Sequence, residues 1–159
     1  MNGFEIACQN IKDTNTCAGI VSGLVQPGDV ILLEGTLGAG KTQFVKAFCA
    51  ALGYEKNVSS PSYTLSNIYA LGTSTIIHAD FYRIKNEFEL LDMGLDYHLD
   101  NSIALIEWGE RFPDFFSNYL KIKIEHVSDC PDCRKISFAF HGNAWVDKFK
   151  NIEKHLSVQ

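Results

Sequence analysis

Apolar residues recur along this chain with two spacings, and each spacing predicts a different kind of element. Short apolar or alternating runs predict strands at residues 4–8, 30–33, 65–71, 74–79 and 102–106. Apolar residues three and four positions apart predict helices at 13–24, 41–52 and 143–156, and an acidic segment predicts a short helix at 87–93. Asp13 is the expected N-terminal cap of the first helix.

Two further alternating runs, at 119–126 and 135–140, predict half-exposed strands joined by a turn at 128–133. Because strands alternate with helices before this pair, the pattern predicts an α/β layered fold with a mostly parallel sheet and an antiparallel edge hairpin. No internal repeat and no linker rich in proline, glycine or serine interrupts the pattern. Residues 1–159 are therefore expected to form one domain.

Charge and hydropathy narrow the function classes. The formal net charge of -5 disfavours nucleic-acid binding through bulk charge. No run of apolar residues reaches the length of about 18 that a membrane span requires. Residues 1–10 contain Glu5, no basic residue and no signal-like apolar core, so the expected location is the cytoplasm.

Residues 35–42 read Gly-Thr-Leu-Gly-Ala-Gly-Lys-Thr, which fits the phosphate-loop pattern G-x-x-x-x-G-K-[ST] in full. An apolar run precedes this segment and a predicted helix follows it, as the pattern requires. Glycines let consecutive N–H groups face an anion, and the helix points its positive end at the same phosphates. The sequence predicts a P-loop NTPase-like domain that binds ATP and Mg²⁺ through Leu37, Gly38, Ala39, Gly40, Lys41 and Thr42. The Lys41 ammonium should reach the outer phosphates, and the Thr42 hydroxyl should ligate the metal.

Two acidic residues, Asp80 and Glu107, end predicted strands. Ligands gather at the carboxyl ends of strands in open α/β sheets, so both are candidate catalytic residues beside Lys41. One would hold magnesium, directly or through water, and the other would orient the attacking water. The alternative is that one of them only caps its strand or pairs with Arg83 or Arg111.

The segment between the phosphate-loop helix and the next strand, here called the switch segment, consists of Ser60, Pro61, Ser62, Tyr63 and Thr64. In P-loop hydrolases this position often holds a stretch that the γ-phosphate and magnesium order. A surface turn with proline is the alternative interpretation. Trp108 follows Glu107 at the mouth of the expected site, where stacking on a base, contact with a partner and simple packing are all open.

Base recognition is less well defined. The chain contains no Asn-Lys-x-Asp guanine-reading box, which disfavours GTP. The adenine pocket is expected near Ile11, after the first strand, and near Arg134, whose guanidinium would stack on a base face. A solvated hairpin charge is the alternative for Arg134. His78 lies inside a predicted strand, where a core histidine with its hydrogen bonds satisfied is more common than a proton shuttle.

The five cysteines indicate reduced thiols rather than a disulfide framework, because their number is odd and Cys49 falls in a predicted buried helix. Cys130 and Cys133 have the spacing of half a zinc site, and a matching half is missing. The main interpretation is a turn that holds two thiols, with a metal or redox role as the alternative.

Taken together, four segments resemble the TsaE (YjeE) family, the ATPase component of the bacterial machinery that makes threonylcarbamoyladenosine in tRNA. These segments are residues 34–42, 60–65, 78–83 and 105–108, and the resemblance runs from about Phe4 to the C-terminal helix. It implies that Thr42 and Glu107 hold magnesium and that Asp80 serves catalysis. It also implies that residues 60–64 act as a switch.

The resemblance further implies two protein partners, TsaB and TsaD, with tRNA met only indirectly through their complex. ATP hydrolysis would reset the synthase for another round. Independently of the resemblance, the isolated protein is expected to be a slow ATPase, because the sequence holds only Arg83, Arg111 and Arg134 as possible cations for the transition state. A P-loop nucleoside-type kinase is the main alternative, because Asp80-Phe81-Tyr82-Arg83 is similar to the acidic motif of such kinases. A non-catalytic nucleotide-sensing module is the other.

Overall fold

A computed structural model describes residues 3–158, and within them the strands form one seven-stranded sheet. The strands are β1 (Phe4–Cys8), β2 (Val30–Glu34), β3 (Ser66–Leu71), β4 (Ser74–Asp80), β5 (Ser102–Glu107), β6 (Tyr119–Val127) and β7 (Cys130–His141). Their order across the sheet is β1-β7-β6-β2-β5-β4-β3. The predicted range 1–159 includes residues 1, 2 and 159, which lie outside the described residues.

Strands β6, β2, β5 and β4 pair in parallel at the centre of the sheet. Strand β7 pairs antiparallel with β6, and β1 pairs antiparallel with β7, so β1 again runs in the central direction. Strand β3 pairs antiparallel with β4 at the other edge. Five of the seven strands therefore run one way, and the predicted α/β fold with a mostly parallel sheet and an antiparallel edge is confirmed. The predicted hairpin, β6–β7, is itself not the edge, because β1 pairs on the outer side of β7.

Helices cover both faces of the sheet. They are α1 (Ile11–Ser22), α2 (Lys41–Ala51), α3 (Glu87–Asp92) and α4 (Val146–Leu156). Alternate residues of β2 point to opposite faces of the sheet. Ile31 and Leu33 pack with α1, α2 and α4, and Val30 and Leu32 pack on the side of α3. Within residues 3–158, every helix is too short or too polar to cross a membrane.

The cap of α1 differs from the prediction. The Asn10 side chain accepts a hydrogen bond from the Asp13 backbone N–H at 2.9 Å, and the Asp13 carboxylate accepts one from the Gln9 N–H at 2.9 Å. Asn10 is therefore the N-cap, and Asp13 occupies the acidic third position of a reciprocal capping arrangement. The helix starts earlier than predicted because its first two residues, Ile11 and Lys12, are exposed and do not belong to the buried apolar face that the pattern reports.

The β6–β7 hairpin is also longer than predicted. Val127 pairs with Cys130 and His126 pairs with Arg134, so residues 131–133 form a bulge in β7 rather than part of the turn. The bulge brings the Cα atoms of Cys130 and Cys133 to 5.3 Å, and their sulfurs are bonded as a disulfide. This corrects the expectation of two free thiols. The remaining cysteines, Cys8, Cys17 and Cys49, are free and buried, as reduced thiols were predicted to be.

Candidate active site

The phosphate loop joins β2 to α2 and depends on glycine at both ends. At Gly35 a Cβ atom would lie 2.6 Å from the backbone oxygen of Ile124, closer than any side chain permits. Gly40 caps α2 with a φ of 112°, a left-handed conformation that favours glycine. The loop leads into the first turn of α2, whose backbone N–H groups lack acceptors within the helix and are the kind of donors that bind an anion.

Lys41 is the first residue of α2 and is 8 % exposed. Its ammonium donates to the Gly35 carbonyl at 2.5 Å and lies 5.0 Å from the centre of the Trp108 ring. The charge is therefore held across the mouth of the loop by a backbone oxygen and an aromatic face. Phosphate oxygens in the loop would replace this carbonyl as the partner of the ammonium.

Asp80 and Glu107 lie side by side where β4 and β5 end. The two strands are parallel neighbours, and Asp80 is the register partner of Glu107. Glu107 is in turn the register partner of Leu33, two residues before the phosphate loop on β2. Both carboxylates thus meet the loop at one edge of the sheet, as the sequence predicted from the carboxyl ends of the strands.

Each carboxylate is buried, and at least one of its oxygens has a hydrogen-bond partner within the protein. Asp80 Oδ1 accepts from the Tyr82 N–H at 2.8 Å, and Asp80 Oδ2 accepts from the Ser62 hydroxyl at 3.3 Å. Glu107 Oε2 lies 2.9 Å from His78 Nε2, and both side chains are almost fully buried. Neither carboxylate pairs with Arg83 or Arg111 within residues 3–158, so the alternative of a simple strand-end ion pair with arginine is wrong.

These groups suit magnesium. Thr42, Asp80 and Glu107 all line the cleft beside the loop, and they offer a hydroxyl and two carboxylates, the oxygen ligands that Mg²⁺ prefers. Within residues 3–158, no cluster of three or more His, Cys, Asp or Glu side chains forms an all-protein cage. Magnesium sites at phosphate loops use one or two carboxylates and complete their shell with phosphate and water, so the donor set fits.

The switch segment lies against this edge of the sheet. Pro61 is buried, and its carbonyl accepts from the Leu65 N–H at 2.8 Å. Ser62 bonds to Asp80 and to the Ser60 hydroxyl, the latter at 2.7 Å. Tyr63, in contrast, is 88 % exposed. One serine of the segment therefore touches a candidate catalytic carboxylate while the neighbouring ring projects into solvent.

The cleft between the loop and the switch segment has a volume of about 840 Å³, enough for a nucleotide. Its wall includes Tyr82, which the sequence did not single out as a site residue. The Tyr82 ring packs on Trp108 with a centroid distance of 5.0 Å, and Trp108 adopts a left-handed φ of 60° directly after Glu107. This turn aims the indole at Lys41.

The three candidate arginines have different surroundings. Arg111 donates to the backbone oxygens of Phe81, at 2.7 Å, and Tyr82, which ties the exit of β4 to the turn after β5. Arg134 donates through Nε to the Ala39 carbonyl at 2.6 Å, and so braces the phosphate loop from the hairpin. Arg83 alone among them lines the cleft, where it lies 5.9 Å from the Tyr63 ring.

The predicted base-binding residues, Ile11 and Arg134, are not among the residues that line the cleft. Ile11 begins α1 and is 50 % exposed, while Arg134 pairs in register with Cys8 at the end of β1. Besides Ala39, the guanidinium contacts the carbonyls of Pro131 and Cys133, each at 2.7 Å. Its edge is thereby occupied, and stacking of its face on an adenine stays a prediction, as does the role of Ile11.

Glu110 adds a half-buried acid close to the charges of Glu34 and Lys41. Burial raises the pKa of this carboxyl, and the nearby charge of Glu34 raises it further, while Lys41 and Lys121 act in the opposite direction. Within residues 3–158, its Oε2 atom is buried without a hydrogen-bond partner. No sequence pattern marks this residue, because it follows the strand end by three positions and belongs to a short 3-10 turn (Gly109–Arg111).

Comparison with known proteins gives one family. The family model "Threonylcarbamoyl adenosine biosynthesis protein TsaE" matches residues 8–136. A Bacillus subtilis (strain 168) protein named tRNA threonylcarbamoyladenosine biosynthesis protein TsaE is 36% identical over 154 residues, with 94% of this chain and 93% of that protein covered. A Treponema pallidum protein of the same name is 34% identical over 112 residues, covering 70% of this chain and 82% of that protein.

A solved structure supports the same grouping. The crystal structure of Bacillus subtilis YdiB matches with a TM-score of 0.80 at 29% sequence identity, and the match covers 97% of this chain and 96% of that one. The sequence match includes the phosphate loop and the ends of β4 and β5, which carry the site described above. The chain therefore belongs to the TsaE family of threonylcarbamoyl adenosine biosynthesis proteins.

Proposed function

We propose that this protein is a magnesium-dependent ATPase that serves the threonylcarbamoyladenosine modification of tRNA. One observation carries the proposal: Lys41 and Thr42 begin a helix behind a full phosphate loop and line the same cleft as Asp80 and Glu107. A loop, a lysine, a hydroxyl and two acids at one sheet edge are the parts that phosphoryl transfer to water needs.

In this proposal each side chain has one task. The loop N–H groups and Lys41 bind the phosphates and stabilise the charge that develops on them. Thr42 and Glu107 would hold magnesium, which when bound neutralises phosphate charge. Asp80, whose two oxygens are oriented by Tyr82 and Ser62, would position the attacking water and accept its proton.

The biological setting follows from the family. The relatives are named as tRNA threonylcarbamoyladenosine biosynthesis proteins, so we propose that ATP hydrolysis here resets a synthase made of TsaB and TsaD. Contact with tRNA would be indirect, in keeping with the net charge of -5. We further propose that residues 1–159 act as one P-loop ATPase domain in the cytoplasm, where bacterial tRNA is found.

A nucleoside-type kinase has less support. Such an enzyme excludes water with a lid that places arginines over the phosphates. Arg111 and Arg134 are engaged with backbone carbonyls, which leaves Arg83 as the arginine that lines the cleft among the described residues. Product analysis separates the two functions, because the ATPase releases free phosphate when a nucleoside is present and the kinase transfers it.

Thr42→Ala and Glu107→Gln are expected to weaken magnesium binding more than nucleotide binding. We expect the apparent magnesium affinity to fall about 10- to 100-fold, the range seen when groups around a metal are altered. ATP affinity without metal should stay within about 2-fold, because neither side chain is placed on the phosphates. Calorimetric titration with and without Mg²⁺ measures both, and Thr73→Ala, on an exposed turn, is the matched threonine control. Equal losses with and without metal would contradict the metal role.

Asp80→Asn is expected to preserve binding and lower turnover. The amide keeps an oxygen for the Tyr82 N–H but cannot accept a proton from water, so hydrolysis should fall by about 10²-fold or more. The measurement is single-turnover phosphate release at saturating ATP, together with the ATP dissociation constant. If binding and turnover fall together, Asp80 holds the loop structure rather than serving the reaction.

A further inference from the structure

A buried hydrogen-bond chain runs behind the cleft from Glu107 to the switch segment, and the sequence assigned it no role. Its members are the Glu107 carboxylate, the His78 imidazole, the Tyr69 hydroxyl and the Ser59 carbonyl. His78 is fully buried, and Tyr69 and Glu107 are each 4 % exposed. Three polar side chains of this kind are costly in a core unless each one is hydrogen-bonded.

The first contact fixes the carboxylate. His78 Nε2 lies 2.9 Å from Glu107 Oε2, and His78 lies on β4, two residues before Asp80. When the imidazole donates to Oε2, the carboxylate loses its freedom to rotate, and Oε1 is left for a ligand in the cleft. Among residues 3–158, no hydrogen bond to Oε1 competes with such a ligand.

The second contact fixes the imidazole. The Tyr69 hydroxyl lies 3.3 Å from His78 Nδ1 and 3.3 Å from the Ser59 carbonyl. Burial raises the pKa of Tyr69, so its hydroxyl keeps its proton at neutral pH and donates. A hydroxyl has one proton, so Tyr69 divides its donation between Nδ1 and the Ser59 oxygen. When Nδ1 accepts a hydrogen bond from Tyr69, the imidazole proton is on Nε2. The Nε2–H group then donates a hydrogen bond to Glu107.

The third contact reaches the switch segment. Ser59 directly precedes Ser60, and its carbonyl also accepts from the Asn67 amide at 3.1 Å. Asn67 Oδ1 accepts from the Thr64 hydroxyl at 2.9 Å, so β3 holds the segment at both ends. If the segment moves and withdraws the Ser59 carbonyl, the Tyr69 hydroxyl can donate its hydrogen bond only to His78.

We propose that His78 and Tyr69 are positioning residues that orient Glu107 for magnesium and couple this orientation to the conformation of the switch segment. The inference rests on the proposed function, in which Glu107 holds the metal. Closure of the segment over the nucleotide and tightening of the metal site are then one event. Neither residue touches the substrate, and both act through Glu107.

The test measures magnesium affinity in variants of the chain. Tyr69→Phe removes one hydroxyl and keeps the ring, and we expect the apparent Mg²⁺ affinity in the presence of ATP to fall about 2- to 10-fold. His78→Leu removes the donor to Glu107, and we expect a fall of about 10- to 100-fold. His78→Gln keeps an N–H near the Nε2 position, so it should recover most of the affinity that His78→Leu loses.

Two controls separate positioning from general stability. Tyr54→Phe deletes a hydroxyl from the ring that packs on Tyr69 at 5.0 Å and should leave magnesium affinity unchanged. ATP affinity without metal should be the same in Tyr69→Phe as in the wild type. Hydrogen exchange measures the coupling between the metal site and the switch segment. Binding of Mg²⁺ with ATP should protect the backbone amides of residues 60–64 in the wild type, and it should protect them less in Tyr69→Phe.

The outcomes are distinguishable. Unchanged magnesium affinity in Tyr69→Phe and His78→Leu, or equal losses in Tyr54→Phe and Tyr69→Phe, would overturn the positioning role while leaving the ATPase proposal intact. If His78→Leu fails to fold, Tyr69→Phe and His78→Gln decide the question by the same titration. A wild-type protein that binds no Mg²⁺ with ATP would overturn the proposed function and this inference together.

Discussion

The Lys41→Ala protein is expected to lose measurable ATP turnover and to bind ATP about 10- to 150-fold more weakly. A hydrogen bond to a charged group is worth about 1.5–3 kcal/mol, which corresponds to that range of affinity. Turnover should fall further, because the ammonium also meets charge that develops only in the transition state. The Lys41 ammonium contacts the Gly35 carbonyl and the Trp108 ring, and both lie at the phosphate loop.

The measurement combines equilibrium ATP titration with steady-state phosphate release. Lys46→Ala is the matched control, because Lys46 is an exposed lysine on the same helix and should leave both values unchanged. Removing the buried Lys41 charge should not unfold the protein, and the thermal midpoint checks this. A folded Lys41→Ala protein with near-normal turnover would contradict the assignment of residues 35–42 as the site of ATP hydrolysis.

The second large effect is expected from the proposed partners. The isolated protein should hydrolyse ATP slowly, and a mixture with TsaB and TsaD from the same source should hydrolyse it faster. P-loop hydrolysis is fast only when an extra cation meets the transition-state charge, and a supplied arginine raises the rate by about 10³- to 10⁵-fold. We expect the increase to approach this order if the partners supply such a cation.

The positions of the arginines are the reason why we propose that this site is incomplete on its own. Arg111 and Arg134 are committed to backbone carbonyls at the strand exits and the phosphate loop. Arg83 lines the cleft, and its guanidinium lies 5.9 Å from the centre of the exposed Tyr63 ring. Leu37 and Tyr63 are 97% and 88% exposed beside the same opening, a surface that a partner protein would cover.

To test this expectation, we would measure phosphate release by the protein alone, with each partner and with both partners together. Gel filtration reports whether a complex forms. Arg83→Ala is the informative variant. If the partners supply the missing cation, the mixture containing Arg83→Ala keeps most of its rate increase, whereas it loses the increase if the partners only move Arg83 inward. Fast turnover by the isolated protein, with no change and no complex on mixing, would refute the dependence on partners.

Much of the site follows from short stretches of sequence. The phosphate loop is contiguous, and its function depends on local backbone conformation, so a single pattern of eight residues predicts it. Asp80 and Glu107 could be placed together because parallel strands bring their carboxyl ends to one edge. Alternating strands and helices likewise predict the layered fold, since apolar periodicity reports which face of an element is buried.

The contacts that complete the site could not be predicted in this way. The Arg134 contact with Ala39 joins residues 95 positions apart, and the His78 contact with Glu107 joins residues 29 positions apart. No local periodicity encodes such pairs, because they depend on strand order and register across the sheet. The cap at Asn10 was missed for a smaller reason: one polar side chain decides it, and neighbouring Asp13 is an equally good capping residue.

By itself, the sequence determined which chemical groups the candidate site contains, because the loop, the lysine and the strand-end acids are recognisable wherever the chain places them. Tertiary structure alone decided which polar groups are available for that chemistry. It placed one arginine against the loop and another at the strand exits, and it bonded Cys130 to Cys133 through a bulge. It also buried His78 between Glu107 and Tyr69. The physical reason is that a buried polar group must find its partners in space, and the sheet determines which partners are near.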